Sequence, residues 1–467
     1  MVGRGRESAI KTKTTRHDPP RSGEHGGAAN ASSAIASEIE DSIREGRLTP
    51  GESLLPIREL AEREGVSAGT AARAYRILRQ RGWLTADGRR GTRVSPGPPS
   101  ARRTPAAVPA GVRNLADGNP DRSLLPKIKP ALRRLDVEPL LYGAGLKSER
   151  LVRLARRQFE RDGIDPEHLA VTSGALDAIE RVLTARLRPG DRVVVEDPGF
   201  PGVIELVRSI GLVPVPVRVD HESLNPGALE EALGPVRGGG MSAVRALIVT
   251  PRAQNPTGLV ITERRRRMLG TILARYSDLL LIEDDHAAGV AGADAVTLVR
   301  PKTPRWAVVR SVSKSLGPDL RLAVVAGDAD TITAVEERQT TGMGWVSHIL
   351  QELVAELWSS RDVKSLLSRA ERTYSARREG LLRALDERGL RGFGASGMNV
   401  WIRVGAEAGI LEMLRRDGWA AAPGERFRLR TAAAIRVTIS TLEPRDAARF
   451  ADALVAAIIP GIRSPSV

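Results

Sequence analysis

The chain has 467 residues, which is too long for a single hydrophobic core and therefore predicts two or more domains. Its 71 Lys and Arg residues against 56 Asp and Glu residues give a net charge of +15, which favours polyanionic partners. The composition, with 41% hydrophobic residues, no Cys and no apolar run near the roughly 20 residues of a membrane span, excludes wholesale disorder, disulfides, thiolate metal sites and membrane insertion. We expect a soluble, cytoplasmic protein that binds neither a metal ion nor a membrane.

Composition changes along the chain predict four segments. Residues 1–30 contain Gly, Arg, Lys, Thr and His with hardly an apolar residue, so we expect a disordered basic tail. Residues 31–96 are patterned as a small domain, and residues 97–112 are a Pro-rich, semi-extended linker. In residues 113–460, helix-like and strand-like segments alternate, as they do in α/β domains.

The small domain has the pattern of a helix-turn-helix. Isoleucines at four-residue spacing predict a first helix over Ser33–Glu45. Pro56 opens a second helix, Ile57–Glu64, and Ser67 caps a third helix, Ala68–Arg81. Two helices joined by a short Gly-containing turn are typical of DNA-binding domains of this class.

The third helix and the chain after it predict a surface that binds duplex DNA. Thr70 and Arg73 are expected to face outward, where short polar side chains and Arg read base edges in the major groove. Two short strands, Gly82–Thr85 and Thr92–Ser95, form a wing whose arginines meet phosphates. These wing arginines are Arg89, Arg90 and Arg93. A small helical domain with a solvated basic face is the alternative interpretation.

These elements resemble the winged-helix domain of GntR-family transcription regulators over roughly Ser33–Ser95. The resemblance implies that Arg58 and the first turn of the third helix contact DNA, which assigns this role to Arg58, Ser67, Thr70 and Arg73. Ala68 departs from the pattern, because that family usually has Arg there. The motifs that carry the match are Gly46-Arg47-Leu48-Thr-Pro-Gly51, Pro56-Ile-Arg58-Glu-Leu-Ala61, Val66-Ser67, Arg73-Ala-Tyr75 and Gly91-Thr-Arg-Val94.

In the larger domain, polar motifs follow predicted strands. Asn255 lies in the loop after the strand Ala246–Val249, and Asp284 lies at the end of a buried, Leu-rich strand. Lys314 ends a Ser-x-Ser-Lys turn after a third strand. Ligands gather at the carboxyl ends of parallel strands, and the predicted helix Leu176–Leu187 offers free N–H groups at its start for a phosphate.

Together these motifs contain the parts of a pyridoxal phosphate (PLP) site. We assign Lys314 to the Schiff base, Asp284 to the pyridine nitrogen and Asn255 to the 3′-oxygen. Phe200 would stack on the ring face. The phosphate group is assigned to a cup of helix N-terminus, hydroxyls and Arg, namely Ser173, Gly174, Ala175, Ser311, Ser313 and Arg321. Each motif alone is also compatible with a loop or a helix cap.

The larger domain resembles fold-type-I aminotransferases over roughly Asn114–Ile459. The resemblance implies an α/β fold with a large mixed, mostly parallel sheet and a small C-terminal subdomain at about 365–460. It also implies that Tyr142 reaches the phosphate of the other subunit and that Arg436 pairs with a substrate or effector carboxylate. His286 stands where a tyrosine usually donates to the 3′-oxygen, and a plain surface or core histidine is the alternative. Further matching motifs are Asp117-Gly-Asn-Pro120, Tyr142-Gly-Ala-Gly145, Arg188-Pro-Gly-Asp191 and Arg436-Val-Thr-Ile-Ser440.

A winged helix joined by a Pro-rich linker to an aminotransferase-like domain resembles the MocR-type regulators of the GntR family. This resemblance implies a homodimeric transcription factor that binds a double-stranded DNA operator. It would hold PLP on Lys314 and sense PLP or an amino compound as its small-molecule effector. Two alternatives stay open: a working PLP-dependent aminotransferase with a fused DNA-binding domain, and a DNA-binding protein whose larger domain is only a dimerisation scaffold.

Overall fold

The computed structural model describes residues 27–49, 51–80, 83–86, 91–95, 108–235 and 243–458. The chain forms two compact units, Met1–Gly97 and Pro98–Val467. The expected tail up to residue 26, the wing residues Arg89 and Arg90 and most of the linker lie outside the described residues.

Three helices and a two-stranded antiparallel sheet make up the described part of the N-terminal unit. They are α1 (Gly27–Arg44), α2 (Ile57–Arg63), α3 (Ala68–Gln80), β1 (Leu84–Ala86) and β2 (Thr92–Val94). The winged helix predicted from the sequence is confirmed, and α2 and α3 start at the predicted residues. Helix α1 begins six residues earlier than predicted, at Gly27, because the alanine-rich stretch before Ser33 contains good helix formers and no residue that stops a helix.

The core of this unit is built from the faces that the spacing predicted. Helix α3 buries Ala71, Ala74, Tyr75 and Leu78, and α1 buries isoleucines against them. The Tyr75 hydroxyl donates to the backbone oxygen of Leu55 at 2.8 Å, which fixes α3 to the segment before α2. The face of α3 opposite this core is therefore held in a defined orientation.

The C-terminal unit contains two sheets. Its strands are β3 (Arg113–Leu115), β4 (His168–Thr172), β5 (Arg192–Asp197), β6 (Val213–Asp220), β7 (Ser223–Leu224), β8 (Val244–Val249), β9 (Leu280–Asp284), β10 (Trp306–Ser311), β11 (Ala323–Gly327), β12 (Gly392–Phe393), β13 (Asn399–Arg403), β14 (Trp419–Pro423) and β15 (Ala434–Thr438). The larger sheet has the order β4-β11-β10-β9-β8-β5-β6-β7, and the five strands from β10 to β6 are mutually parallel. The predicted large, mixed and mostly parallel sheet is confirmed.

Eleven helices in the described part of this unit pack on the two sheets. They are α4 (Ile128–Leu132), α5 (Glu149–Arg161), α6 (Ala175–Arg186), α7 (Pro201–Ser209), α8 (Pro226–Leu233), α9 (Glu263–Leu273), α10 (Ala329–Thr340), α11 (His348–Ser359), α12 (Arg361–Asp386), α13 (Glu407–Arg416) and α14 (Pro444–Ile458). None of the helices in the described ranges combines the length and the apolar character needed to cross a membrane.

The smaller sheet belongs to the C-terminal subdomain. Its strand order is β12-β13-β15-β14-β3, and α12, α13 and α14 pack around a shared core with it. Strand β3 comes from far outside the segment of about 365–460 that the sequence indicated. It pairs in parallel with β14, because the chain after the linker runs along the free edge of that strand.

Candidate functional site

The carboxyl ends of three parallel strands lie side by side in the larger sheet. Val249 of β8 is paired with Glu283 of β9, and Asp284 is paired with Val309 of β10. The loops after these strands carry Asn255 and Lys314. The structure therefore assembles the predicted strand-end residues at one edge of the sheet, where ligands of α/β folds bind.

The three acids at the end of β9 have different environments. Glu283 accepts hydrogen bonds from the backbone of Leu298 at 2.5 Å and from the Thr297 hydroxyl at 2.9 Å. The Asp285 carboxylate is bonded at 2.8 Å to two nitrogens of Arg252, and this ion pair holds its pKa below the usual range despite burial. The Asp284 Oδ1 atom is buried and has no hydrogen-bond partner among the described residues. Asp284 is thus the acid with a free oxygen for a ligand.

Burial dominates the ionisation of Asp284. It raises the pKa of that carboxyl group, while the neighbouring His286 and Lys314 act in the opposite direction. The His286 Nδ1 atom lies 3.8 Å from Asp284 Oδ2, and its side chain is largely buried. A cation at this place, such as a protonated ring nitrogen, would favour the charged carboxylate.

Lys314 is partly buried at the turn after β10. Its Nζ atom donates to the backbone oxygen of Gly118 at 2.7 Å. Burial, with the positive charge of Arg436 as the second cause, lowers the pKa of Lys314 to about 8. The amine therefore reaches its neutral, nucleophilic form far more readily than a surface lysine does.

The predicted phosphate cup combines the start of α6 with the turn between β10 and Lys314. Arg321 donates to the backbone oxygen of Ser173 at 3.2 Å, and Gly174 has a positive φ of 100°. A Cβ atom on Gly174 would lie 3.0 Å from an Arg321 nitrogen, so glycine permits this close approach. The Ser311 and Ser313 hydroxyls lie 3.0 Å apart in the turn before Lys314.

One expectation about this cup is wrong. The Ser173 N–H is not free, because it donates to the carboxylate of Asp177 at 2.8 Å. An acid in the first turn of a helix commonly satisfies such an N–H group. Among the residues assigned to the cup, Gly174 and Ala175 keep backbone N–H groups that could bind a phosphate.

Phe200 immediately precedes α7, at the end of the loop after β5. A Cβ atom on Gly202 would lie 2.7 Å from the Phe200 ring and 3.2 Å from Leu176, so these three residues are in close contact. Phe200 packs on the buried cluster of the larger sheet and stays half exposed. This leaves part of its ring accessible for stacking.

Asn255 and Arg436 are bonded to each other. Arg436 Nη1 donates to Asn255 Oδ1 at 3.1 Å, and a second guanidinium nitrogen donates to the backbone oxygen of Ala116. The guanidinium carbon lies 4.8 Å from the centre of the Phe427 ring, and its Nε atom is buried without a partner among the described residues. Burial lowers the pKa of Arg436 to about 10. The pair joins the loop after β8 to β15 of the smaller sheet.

Tyr142 lies apart from these residues within the chain. Its side chain is 94% exposed, and its ring meets that of Trp345 edge-on with centroids 5.8 Å apart. Near Trp345, the Met343 sulfur lies 3.8 Å from the Ser173 hydroxyl. The exposed region around Tyr142 therefore borders the phosphate cup.

The predicted DNA-binding residues divide into exposed and internally bonded groups. Arg58, Ser67 and Arg73 are exposed. The outward orientation predicted for Thr70 is wrong: it is only 8% exposed, and its hydroxyl lies 2.9 Å from the Ser67 hydroxyl, because both close the first turn of α3. Arg93 is half-buried and donates to the backbone oxygen of Gly51 at 2.9 Å.

These residues fit PLP on grounds that the structure itself supplies. The buried, unpartnered oxygen of Asp284 needs a donor, and a pyridine N–H is one. The close approach at Gly174 beside Arg321 offers backbone N–H groups and a cation to a phosphate. Among the described residues, no group of three or more His, Asp or Glu side chains is arranged to hold a metal ion.

Two family models match the chain. The model for aminotransferase class I and II matches residues 112–454, and the model for bacterial regulatory proteins of the gntR family matches residues 31–94. The boundaries of both matches agree with the two units of the structure.

Similar proteins include regulators and an aminotransferase. The vitamin B6 salvage pathway transcriptional repressor PtsJ of Salmonella typhimurium is 39% identical over 87% of this chain and 94% of its own length. The HTH-type transcriptional regulator TauR of Rhodobacter capsulatus is 26% identical over 86% of this chain and 90% of its own. The crystal structure of a kynurenine aminotransferase from Pyrococcus horikoshii matches 76% of this chain and 92% of its own, with a TM-score of 0.67 at 22% identity. This last likeness concerns the fold.

Proposed function

Because this chain belongs to the GntR family of bacterial regulatory proteins and carries a class I and II aminotransferase domain, we propose that it regulates transcription in response to PLP or an amino compound. It is a DNA-binding transcription regulator with a PLP-binding domain. PtsJ is named for repression of a vitamin B6 salvage pathway, and PLP is a form of vitamin B6. The similarity therefore favours PLP itself as the sensed molecule.

The observation that carries the proposal is the environment of Lys314 and Asp284. A lysine with a lowered pKa and a buried acid with a free oxygen lie at adjacent strand ends of one sheet. When bound, PLP would supply an electrophilic aldehyde, and the amine of Lys314 would hold it. Asp284 would hold the ring nitrogen, Asn255 and His286 would lie near the 3′-oxygen, and Phe200 would cover one ring face.

The other proposed residues would bind the phosphate group of PLP and the carboxylate of an effector. Gly174, Ala175, Ser311, Ser313 and Arg321 would bind the phosphate group, because they offer backbone N–H groups, hydroxyls and a cation at one place. Arg436 would bind an effector carboxylate with its buried guanidinium. Since Asn255 already accepts from Arg436, a carboxylate there would compete with Asn255 for the same donor.

A homodimer would complete this site. The region around Tyr142 exposes apolar side chains that a monomer would leave in water, among them Leu141 at 79% exposure. Because this region borders the phosphate cup, a symmetric pairing would let the partner's Tyr142 reach the phosphate. In sedimentation, Leu141→Glu should convert a dimer to a monomer, whereas the exposed Lys302→Glu should not. A monomeric wild type would contradict this arrangement.

The DNA-binding roles rest on the winged helix. We assign base contacts to Ser67 and Arg73 at the exposed start of α3, and phosphate contacts to Arg58. Phosphate contacts by Arg89 and Arg90 stay a prediction from the sequence, and Arg93 would instead support the wing through its hydrogen bond to the Gly51 oxygen. The operator is double-stranded DNA, and the regulator would work in the cytoplasm, where it has access to the chromosome.

The test is operator affinity with and without PLP. An operator is first selected from random duplexes, and its affinity is then measured by fluorescence anisotropy at fixed salt for wild type and Lys314→Ala. We expect PLP to change wild-type affinity by about 5–150-fold, the usual range of coupling between two sites, and to leave the variant unchanged. Equal wild-type affinities with and without PLP, and across a panel of amino acids, would contradict the sensing role.

A working aminotransferase is the second candidate. It is favoured by the joint presence of Lys314, Asp284, Asn255 and Arg436, which an enzyme of this fold would also need. Incubation of the PLP-loaded protein with amino acids, followed by chromatography of the released cofactor, distinguishes the two. Stoichiometric conversion to pyridoxamine phosphate, followed by turnover with a keto acid, would identify an enzyme. Retention of PLP would favour the sensor.

A further inference from the structure

We propose that Glu196 is a positioning residue of the PLP site, which holds the loop carrying Asn255 against the segment carrying Phe200 through the side chain of Gln254. The inference rests on the proposed function, because it concerns the geometry of the same cofactor site. Neither residue belongs to the set that would touch the cofactor. Their role would be to set the distance between two groups that do.

The Gln254 carboxamide joins three points of the structure. Gln254 is fully buried, and its Nε2 atom donates to the backbone oxygen of Pro198 at 2.8 Å and to Glu196 Oε2 at 3.3 Å. Its Oε1 atom accepts from the backbone N–H of Thr257 at 2.9 Å and from the Thr257 hydroxyl at 2.5 Å. The Nε2 atom therefore fixes the loop after β8 to the end of β5 and the turn after it, and the Oε1 atom holds the side chain within its own loop.

The two connected segments are the ones that would bracket the PLP ring. Gln254 immediately precedes Asn255, so its anchoring limits where the Asn255 amide can lie. Pro198 lies two residues before Phe200, in the turn between β5 and α7. Glu196 is the next-to-last residue of β5, so the anchor originates in the rigid sheet.

Glu196 has an environment that suits a neutral acid. It is 5% exposed, and its Oε1 atom has no hydrogen-bond partner among the described residues. Burial raises the pKa of Glu196 to about 8, and hydrogen bonds from Thr250 and Gln254 oppose that rise. A neutral carboxyl group accepts from Gln254 Nε2 as a glutamine carboxamide would. The geometry therefore requires an acceptor at this position and does not require a negative charge.

The experiment compares a conservative and a disruptive change at the same residue. PLP affinity of the full chain is measured by titration of visible absorbance for wild type, Glu196→Gln, Glu196→Leu, Gln254→Leu and the double Leu variant. We expect Glu196→Gln to stay within about twofold of wild type. Glu196→Leu and Gln254→Leu should each weaken binding by about tenfold, because a buried donor or acceptor loses its partner. The double variant should bind no more weakly than either single variant, since both remove the same connection.

A matched control separates positioning from folding. Glu222 is another buried acid, but it lies near β7 at the far edge of the larger sheet. Glu222→Leu should lower the melting temperature of the PLP-free protein and leave PLP affinity unchanged. Equal loss of PLP affinity in the Glu196→Leu and Glu222→Leu variants would identify a merely structural role and overturn the inference.

Four other results would also be decisive. Unchanged affinity in Glu196→Leu, or additive losses in the double variant, would overturn the connection through Gln254. A Glu196→Gln variant as weak as Glu196→Leu would show that charge, and not the acceptor, is required. Absence of PLP binding by the wild type would overturn the proposed function itself, and it is recognised before any variant is measured.

Discussion

The two functional regions of this molecule are built in opposite ways. In the winged helix, the two residues proposed to contact bases, Ser67 and Arg73, are exposed and lie within one short stretch at the start of α3. In the cofactor site, Asp284, Lys314 and Arg436 come from separate segments and are buried or partly buried. The first region thus depends on the shape of one helix, whereas the second depends on how the larger and the smaller sheet are placed relative to each other. Substitutions should therefore act locally in the first region and through their surroundings in the second.

The largest effect is expected at Lys314. Lys314→Ala should abolish the visible absorbance of bound PLP and its fixation by borohydride, because no other amine occupies the turn after β10. Peptide mapping of the reduced protein checks the site of attachment. The exposed Lys364→Ala provides a control that should retain full labelling, and labelling of another lysine in the Lys314 variant would contradict the assignment.

Substitutions of the two adjacent acids at the end of β9 should affect PLP binding and the stability of the fold differently. Asp285→Asn should reduce the free energy of unfolding by about 3–5 kcal/mol, since it leaves Arg252 and Arg310 buried without their full partner. Asp284→Asn should instead weaken PLP binding and shift its spectrum, with a smaller change in stability. Denaturant titration and PLP titration of both variants measure the contrast. The reverse pattern would move the pyridine partner to Asp285.

Substitutions at different positions of α3 should change DNA binding in different ways. Arg73→Ala should reduce the preference for operator over random DNA by about 1–3 kcal/mol, the value of one good base contact. Arg79→Ala, at the other end of α3, should weaken both kinds of DNA alike. Competition binding at several salt concentrations distinguishes the two. Equal losses on both DNAs for Arg73→Ala would reassign that residue to phosphate contact.

The ionisation of Lys314 predicts a pH dependence of PLP capture. Burial and Arg436 lower the pKa of Lys314 to about 8. The fraction of neutral amine therefore falls about tenfold for each pH unit below that value, and well above it nearly all of the amine is neutral. The initial rate of borohydride-fixable PLP attachment should therefore rise from pH 6 to about pH 8 and then level off. Arg436→Ala removes a positive neighbour and should move the midpoint upward. An unchanged midpoint would show that Arg436 does not influence the amine.

The smallest effect is expected at Thr70. Thr70→Val removes the hydroxyl that contacts Ser67 but keeps the shape of a buried side chain. Operator preference should change by less than about 1 kcal/mol, since the hydroxyl lies against Ser67 and away from solvent. The same competition binding measures it. A loss equal to that of Arg73→Ala would restore Thr70 as a base contact.

Sequence patterns predicted the winged helix closely because its signals are local. Pro56 and Ser67 mark helix starts by their own chemistry, and the spacing of apolar residues identifies the buried face of α3. The prediction for Thr70 was wrong because a side chain in the first turn of a helix can turn back toward the capping residue. The spacing of apolar residues alone does not reveal this. The early start of α1 was missed for a similar reason, since alanine carries little positional signal.

The cofactor site was predicted only as far as its strand ends. Asn255, Asp284 and Lys314 each follow a recognisable strand, so parallel pairing was enough to bring them together. The oxygen of Gly118 that accepts from Lys314 and the ring of Phe427 under Arg436 had no such signal. Gly118 lies 196 residues from Lys314 along the chain, and its position depends on how the smaller sheet meets the larger one. Phe427 precedes Arg436 by only nine residues, but it ends a short helical turn whose sequence does not indicate that its ring lies against the Arg436 side chain.

Strand β3 has a mechanical consequence for regulation. It is the first strand after the linker, and Arg113 fixes it to the smaller sheet through an ion pair with Asp446 and a contact with the Trp419 ring. In that sheet β3 lies two strands away from β15, which carries Arg436. The first described residues after the linker are thus attached to the sheet that carries Arg436, and not to the larger sheet. A change that a carboxylate at Arg436 made in the smaller sheet would therefore act on the strand that follows the linker.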